Sequence, residues 1–148
     1  MALLERVSTI VIPAIPQFVV ADKLRIGETV DGIKICWLGN NIKEHFLSKV
    51  EVGVATEELV TNNLLQRSKD PAIITSLGGE EKVEVSCGQF WEYLKTADQN
   101  FWYVAYIRDT DGVLWAVGGR WGGGGWHFNA NPLDDPSRWS DGLQFLSR

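Results

Sequence analysis

FWYVAYIRDTDGVLWAVGGRWGGGGWHFNAN, residues 101–131, is the stretch that decides the fold. Phe101–Arg108 and Val113–Trp121 are dense in aromatic and β-branched residues, which suit a pleated, half-buried strand. Between them lies Asp111-Gly112, a type I′ hairpin signal, because both residue types tolerate the positive φ that a two-residue loop demands. Such a loop sets Arg108 opposite Trp115, Val104 opposite Gly119 and Trp102 opposite Trp121. Gly122 to Gly125 lack side chains with which to hold a strand, so they predict a second reversal. A four-residue loop there sets Trp121 opposite Trp126, Arg120 opposite His127 and Gly119 opposite Phe128.

Successive side chains along a strand point to opposite faces. One face of this meander then carries Trp102, Val104, Tyr106, Val113, Trp115, Val117, Trp121, Trp126 and Phe128. The other carries Phe101, Tyr103, Ala105, Ile107, Leu114 and Ala116, followed by Arg120, His127, Asn129 and Asn131. A slip of one residue in either loop would exchange the faces. Both faces are apolar at the first hairpin, which predicts strands covered on both sides.

Outward from this core, Ser86-Cys-Gly-Gln89 has capping-box spacing and opens a helix over about 86–97. Its face of Phe90, Leu94 and Ala97, with Trp91 beside it, is the natural cover for one side of the sheet. Asn41-Ile-Lys-Glu44 has the same spacing and predicts a second short helix over about 41–47. Ile33, Ile35 and Trp37 alternate on one face of a strand, and Val50, Val52 and Val54 suggest another. Residues 7–12 and 17–24 read as extended segments punctuated by Pro13 and Pro16. Residues 55–67 fit a helix or a strand, since short apolar runs do not separate the two periods. Asp70-Pro71 predicts a helical turn through Leu77, ended by Gly78-Gly79, and Leu143–Leu146 predicts a last strand. The expected fold class is α+β: a single domain over 1–148 with a mostly antiparallel sheet, a C-terminal β-meander (about 101–131) and short helices at about 41–47 and 86–97.

A chain of 148 residues buries enough surface to fold without metals or disulfides. Its net charge of −5, with no lysine after residue 95, disfavours nucleic acid and anionic membrane surfaces as partners. Cys36 and Cys87 cannot make a disulfide framework and fit a reducing compartment, so a cytoplasmic location is expected. The apolar stretch Val7–Val20 is too short to span a bilayer and is broken by two prolines.

Several spaced pieces carry a resemblance: Trp37-Leu-Gly39; Asp70-Pro-Ala-Ile-Ile74; Tyr106-Ile-Arg-Asp109 with Gly112 and Leu114-Trp-Ala-Val117; Gly125-Trp126; and Asp141-Gly142 with Phe145-Leu-Ser-Arg148. In these, over roughly residues 33 to 148, the chain resembles a group of small single-domain bacterial proteins. The resemblance implies no function. It tips residues 55–67 toward a strand, and it implies that the loop Asp98-Gln-Asn100 is shorter than usual. Association of such proteins with mobile elements would imply an accessory role, such as an inhibitor or immunity-like protein.

The glycine run is no phosphate loop, because it lacks the Gly-Lys-Ser/Thr ending and lies between strands. The row Tyr103, Arg120 and His127, with Asn129 nearby, is the sharpest ligand-binding candidate. Arginine can grip a carboxylate with two hydrogen bonds, and histidine moves protons near neutral pH. A solvent-facing row with the arginine stem laid across the tyrosine is the alternative. Trp102, Trp115, Trp121 and Trp126 form either a core wall or an interaction surface for a partner protein, a second copy or a flat ligand. Cys87 at a helix start is either a low-pKa thiol or a small buried apolar group. Two histidines and two scattered cysteines show no metal-ligand spacing, and no cofactor motif is present. The expectation is a non-catalytic binding or interaction domain acting through the aromatic sheet, as a homodimer or with an unidentified protein or small molecule. The runner-up is a small enzyme acting on an anionic molecule through Arg120 and His127.

Overall fold

The computed structural model describes residues 2–148. Ten strands, β1 (Leu4–Ile12), β2 (Ile15–Val19), β3 (Thr29–Val30), β4 (Ile33–Leu38), β5 (Val50–Val54), β6 (Glu57–Leu64), β7 (Tyr103–Arg108), β8 (Leu114–Gly122), β9 (Gly125–Pro132) and β10 (Gln144–Ser147), alternate with five short helices. The helices are α1 (Val20–Lys23), α2 (Asn40–His45), α3 (Asp70–Ser76), α4 (Glu80–Val83) and α5 (Cys87–Leu94). Eight strands form one sheet in the order β1-β6-β10-β7-β8-β9-β4-β3, and β2 pairs with β5 separately. Neighbours are antiparallel except β10 with β7 and β4 with β9. The α+β class and the mostly antiparallel sheet are as expected. Among the described residues no helix is long and apolar enough to cross a membrane.

The meander forms, but its first turn corrects the expected register. Tyr103 pairs with Gly119, Ala105 with Val117 and Arg108 with Leu114, one residue away from the Trp102–Trp121 pairing. The loop holds three residues, Thr110 to Gly112, because Asp109 closes it. Its Oδ1 accepts the N–H groups of Asp111 and Val113 at 2.9 Å each, and its Oδ2 accepts Trp115 Nε1–H at 2.8 Å. Gly112 takes the left-handed conformation this turn needs (φ 82°). The second turn keeps the expected register, Trp121 opposite Trp126 and Arg120 opposite His127, with the pair Gly122–Gly125 now belonging to the strands. Only Gly123 and Gly124 remain in the loop, both at positive φ, as a two-residue reversal requires.

The slip at Asp109 exchanges the faces of β7 alone. Tyr103, Ala105 and Ile107 join Val117, Trp126 and Phe128 in one core. Val104 and Tyr106 join Leu114, Ala116 and Phe145 in another. The sheet is therefore covered on both sides. The first core is closed by α5, with Phe90 edge-on to Phe128 (6.1 Å) and Tyr93 edge-on to Tyr103 (5.3 Å). The second is closed by Ile73 and Ile74 of α3 and Val83 of α4. Each buried large apolar side chain stabilises the fold by roughly 1.5–3 kcal/mol.

The Ser86–Gln89 capping box is complete in both directions. The Asn41 box is not: Gly39 is the N-cap of α2, and Asn41 Nδ2 donates instead to the Ala130 carbonyl (2.8 Å), tying the helix to β9. Residues 57–64 form a strand, as the resemblance implied, while Val20–Lys23, expected extended, make a helical turn. A register shift between Ile35 and Trp37 against β9 turns Trp37 away from Ile33 and Ile35, to the opposite face.

Asp109 titrates below its ordinary value of 3.8: burial pushes it up, but the hydrogen bonds from Val113, Trp115 and Asp111, with His45 nearby, outweigh that. A lowered folded-state pKa means that its contribution is present above pH 3.8 and lost as pH falls through the folded value. Asp109→Ala should cost about 2–3 kcal/mol at pH 7 in urea unfolding. The gap to the parent should narrow below pH 3.8; a gap that stays constant down to pH 2.5 would contradict the role given to this carboxylate.

Candidate functional site

Four side chains come into one row across β4, β9, β8 and the residue before β7, the last placed there by the register that Asp109 sets. Trp37 lies beside His127, His127 opposite Arg120, and Arg120 beside Trp102. The row lies on the sheet face that α3 and α4 cover only at its other end. Gly118 adds no side chain to this face, and a Cβ built there would meet nothing nearer than 4.0 Å. The result is a groove of about 260 Å³ with Trp37 and Trp102 as walls and Asn129, Asn131 and Trp139 along its length.

The chemistry of the groove is that of one unneutralised cation among rings. The Arg120 guanidinium lies 5.3 Å from the centre of the Trp102 ring, a cation–π geometry. Among the described residues it makes no ion pair. His127 Nε2 is 2.8 Å from the Gly122 carbonyl. A carbonyl only accepts, so Nε2 carries a proton and Nδ1 of the neutral ring is the remaining acceptor. The His127 and Trp37 ring centres are 6.3 Å apart. Asn129 Oδ1 accepts from Ala130 N (3.0 Å), which leaves its amide as a donor. Trp37 and Trp102 stay about half exposed, at 47% and 49%.

Trp139 is held by a buried carboxylate. Asp70, in the first turn of α3, accepts Trp139 Nε1–H and the Tyr106 hydroxyl on the same oxygen, both at 2.7 Å. Burial pushes the Asp70 carboxyl above its ordinary 3.8, against the pull of these two hydrogen bonds, and Asp135 adds to the rise.

Of the four candidate ligand residues, Arg120, His127 and Asn129 come together and Tyr103 does not. Tyr103 points to the opposite core, donates its hydroxyl to the Asp98 carbonyl (2.8 Å) and is held protonated by burial. Trp102 takes its place in the row. The expected tryptophan surface divides accordingly. Trp126 is buried, Trp121 packs edge-on against it at 5.9 Å, and Trp115 stacks on His45 at 4.9 Å. These three are wall and core, and Trp102 alone of the set is open. Trp37 and Trp139 escaped the sequence reading. The bulge that turns Trp37 and the Asp70 contact that seats Trp139 leave no local pattern.

Cys87 is half-buried, and burial of its thiol, followed by the Glu51 carboxylate, pushes it well above the usual thiol range. The N-terminus of α5 is already occupied by that carboxylate, which accepts from Cys87 N (2.8 Å) and Gly88 N (2.9 Å) and pairs with Lys49 (3.0 Å). Among the described residues no group of three or more histidine, cysteine, aspartate or glutamate side chains is arranged to hold a metal ion. Comparison with family models, with curated proteins and with solved structures found no match.

A raised folded-state pKa stabilises below pH 3.8, and that contribution is lost as pH rises through the folded value. Asp70→Asn keeps an acceptor for Trp139 and Tyr106 without the charge. Its stability relative to the parent should therefore rise with pH between about 4 and 8, read by urea unfolding. A relative stability independent of pH would show that Asp70 ionises as freely in the folded protein as in the unfolded chain.

Proposed function

We propose that this domain is a non-catalytic binding module whose groove takes a flat, anionic small molecule. The observation that carries this reading is the Arg120 charge, unpaired in an acidic chain, resting on Trp102 in a row that ends at a second exposed tryptophan. A guanidinium without a carboxylate is free to take one from a ligand in a two-pronged hydrogen bond. The half-exposed indoles offer stacking faces for an aromatic ring. The Asn129 amide and His127 Nδ1 add one donor and one acceptor, enough to orient a ligand in a groove sized for a single ring system.

Binding is favoured over catalysis by the histidine. Nε2 is oriented by the Gly122 carbonyl, but among the described residues no hydroxyl, thiol or carboxylate is hydrogen-bonded to Nδ1, so no nucleophile is set to be activated by the ring. The acidic chain surface outside the groove repels anions, so the local field around Arg120 supplies the selectivity.

Calorimetric titration with AMP and with 4-hydroxybenzoate tests the reading. At least one should bind saturably, and Arg120→Gln and Trp102→Ala should each weaken it by about tenfold or more, about 1.4 kcal/mol. Adenosine should bind more weakly than AMP. No saturable binding of either anion, or equal affinity for AMP in the Arg120→Gln variant, would remove the groove as the site.

A further inference from the structure

A hollow of about 580 Å³, larger than the groove, lies on the opposite face of the sheet. It opens between the C-terminal end of α5 and strands β1, β6, β10 and β7. Adjacent residues of one segment separate the two sites: Trp102 lines the groove, while Phe101 and Tyr103 line the cavity. We infer that this cavity is a second binding site, independent of Arg120, for a neutral polyhydroxylated ring of the sugar class.

The floor carries the argument. Gln144 is 6% exposed, yet only its amide nitrogen is engaged, donating to Asn63 Oδ1 at 2.8 Å. Its Oε1 accepts from no protein group, and no fully enclosed side-chain oxygen or nitrogen among the described residues lacks a partner. That oxygen therefore faces the cavity that Gln144 lines. An accessible acceptor that the protein leaves without a donor is open to a donor from a ligand in the cavity. Beside it, the Thr61 and Tyr93 hydroxyls share one hydrogen bond of 2.7 Å. One of their two protons serves that bond, and each oxygen keeps acceptor capacity toward a ligand hydroxyl. Since Asn63 receives on Oδ1, its amide protons are a further donor.

The floor is thus uncharged and offers both donors and acceptors, the chemistry that the hydroxyls of a sugar satisfy. The walls are aromatic: Tyr93 and Tyr103 stand edge to face, and Phe101 is 41% exposed at the mouth. A sugar ring presents an apolar C–H face to such a wall while its hydroxyls turn to the floor. No lysine or arginine lines the cavity, and its two carboxylates, Glu5 and Asp98, lie on exposed residues. They accept from hydroxyls and repel the anions that the groove attracts, so the two sites select different chemistry. A cationic amine would gain little from carboxylates that water already screens, and the floor offers it no charge. Burial holds the Tyr93 and Tyr103 hydroxyls in their donor form across the neutral range.

The test is amide NMR of the full chain titrated with glucose, galactose, mannose, N-acetylglucosamine, maltose and cellobiose, with putrescine as the cationic control. At least one sugar should give saturable shifts at Thr61, Tyr93, Tyr103 and Gln144 with a millimolar dissociation constant, leaving Arg120 and His127 unmoved. Phe101→Ala, at an exposed position, and Gln144→Met, which keeps the volume but not the acceptor, should each weaken binding by about tenfold. The site is overturned if no sugar shifts these residues at about 10 mM. It is equally overturned if the shifts fall in the groove, if only putrescine binds, or if folded Phe101→Ala binds as tightly as the parent.

Discussion

One carboxylate sets the geometry on which the rest depends. Asp109 gathers two backbone N–H groups and an indole N–H at the β7–β8 turn, and so makes the loop three residues long instead of two. A strand has a side-chain period of two, so this single residue decides which way every side chain of β7 points. Tyr103, Ala105 and Ile107 go toward α5, and Trp102, Val104 and Tyr106 go toward α3 and α4. With the alternative register, Tyr103 would stand beside Arg120 and Trp102 would be sent into the core.

The two cores then leave two kinds of unfilled space. Toward α3 and α4 the cover stops short of the glycine turn, and Gly118 leaves the sheet bare, which leaves a groove lined by rings around one cation. On the other side α5 ends at Leu94. The space beyond its end becomes a larger cavity with an uncharged hydrogen-bonding floor. Both follow from short helices on a wide sheet. Gly119 illustrates the opposite requirement: a Cβ there would come within 2.8 Å of the Phe128 ring, so the sheet is bare at this point because α5 and Phe128 pack directly on it.

Much of the scaffold was legible. The Ser86–Gln89 spacing located α5, the glycine run located the β8–β9 reversal with its register, and the doubly apolar meander implied cover on both sides. Within the site, the opposition of Arg120 and His127 was legible because two neighbouring strands and one short turn determine it. Trp37 was misread because the bulge at Cys36 inverts its face, and a bulge is a pairing event between β4 and β9 that neither strand's own pattern records. Trp139 was invisible as a wall because its partner, Asp70, lies 69 residues away.

What the chain determined by itself was local: strand-forming composition, the two reversals, one helix cap and the acidic balance, each set by neighbours within a few residues. What only the tertiary structure decided was non-local. It inserted β10 between β6 and β7, paired β4 parallel with β9, and seated Trp139 on Asp70 across the fold. Those choices depend on which apolar surfaces and buried polar groups find partners across the fold. No short window of sequence contains both partners, so the placement of Trp37, Trp139 and Gln144, and with it the character of both cavities, emerges only when the sheet is assembled.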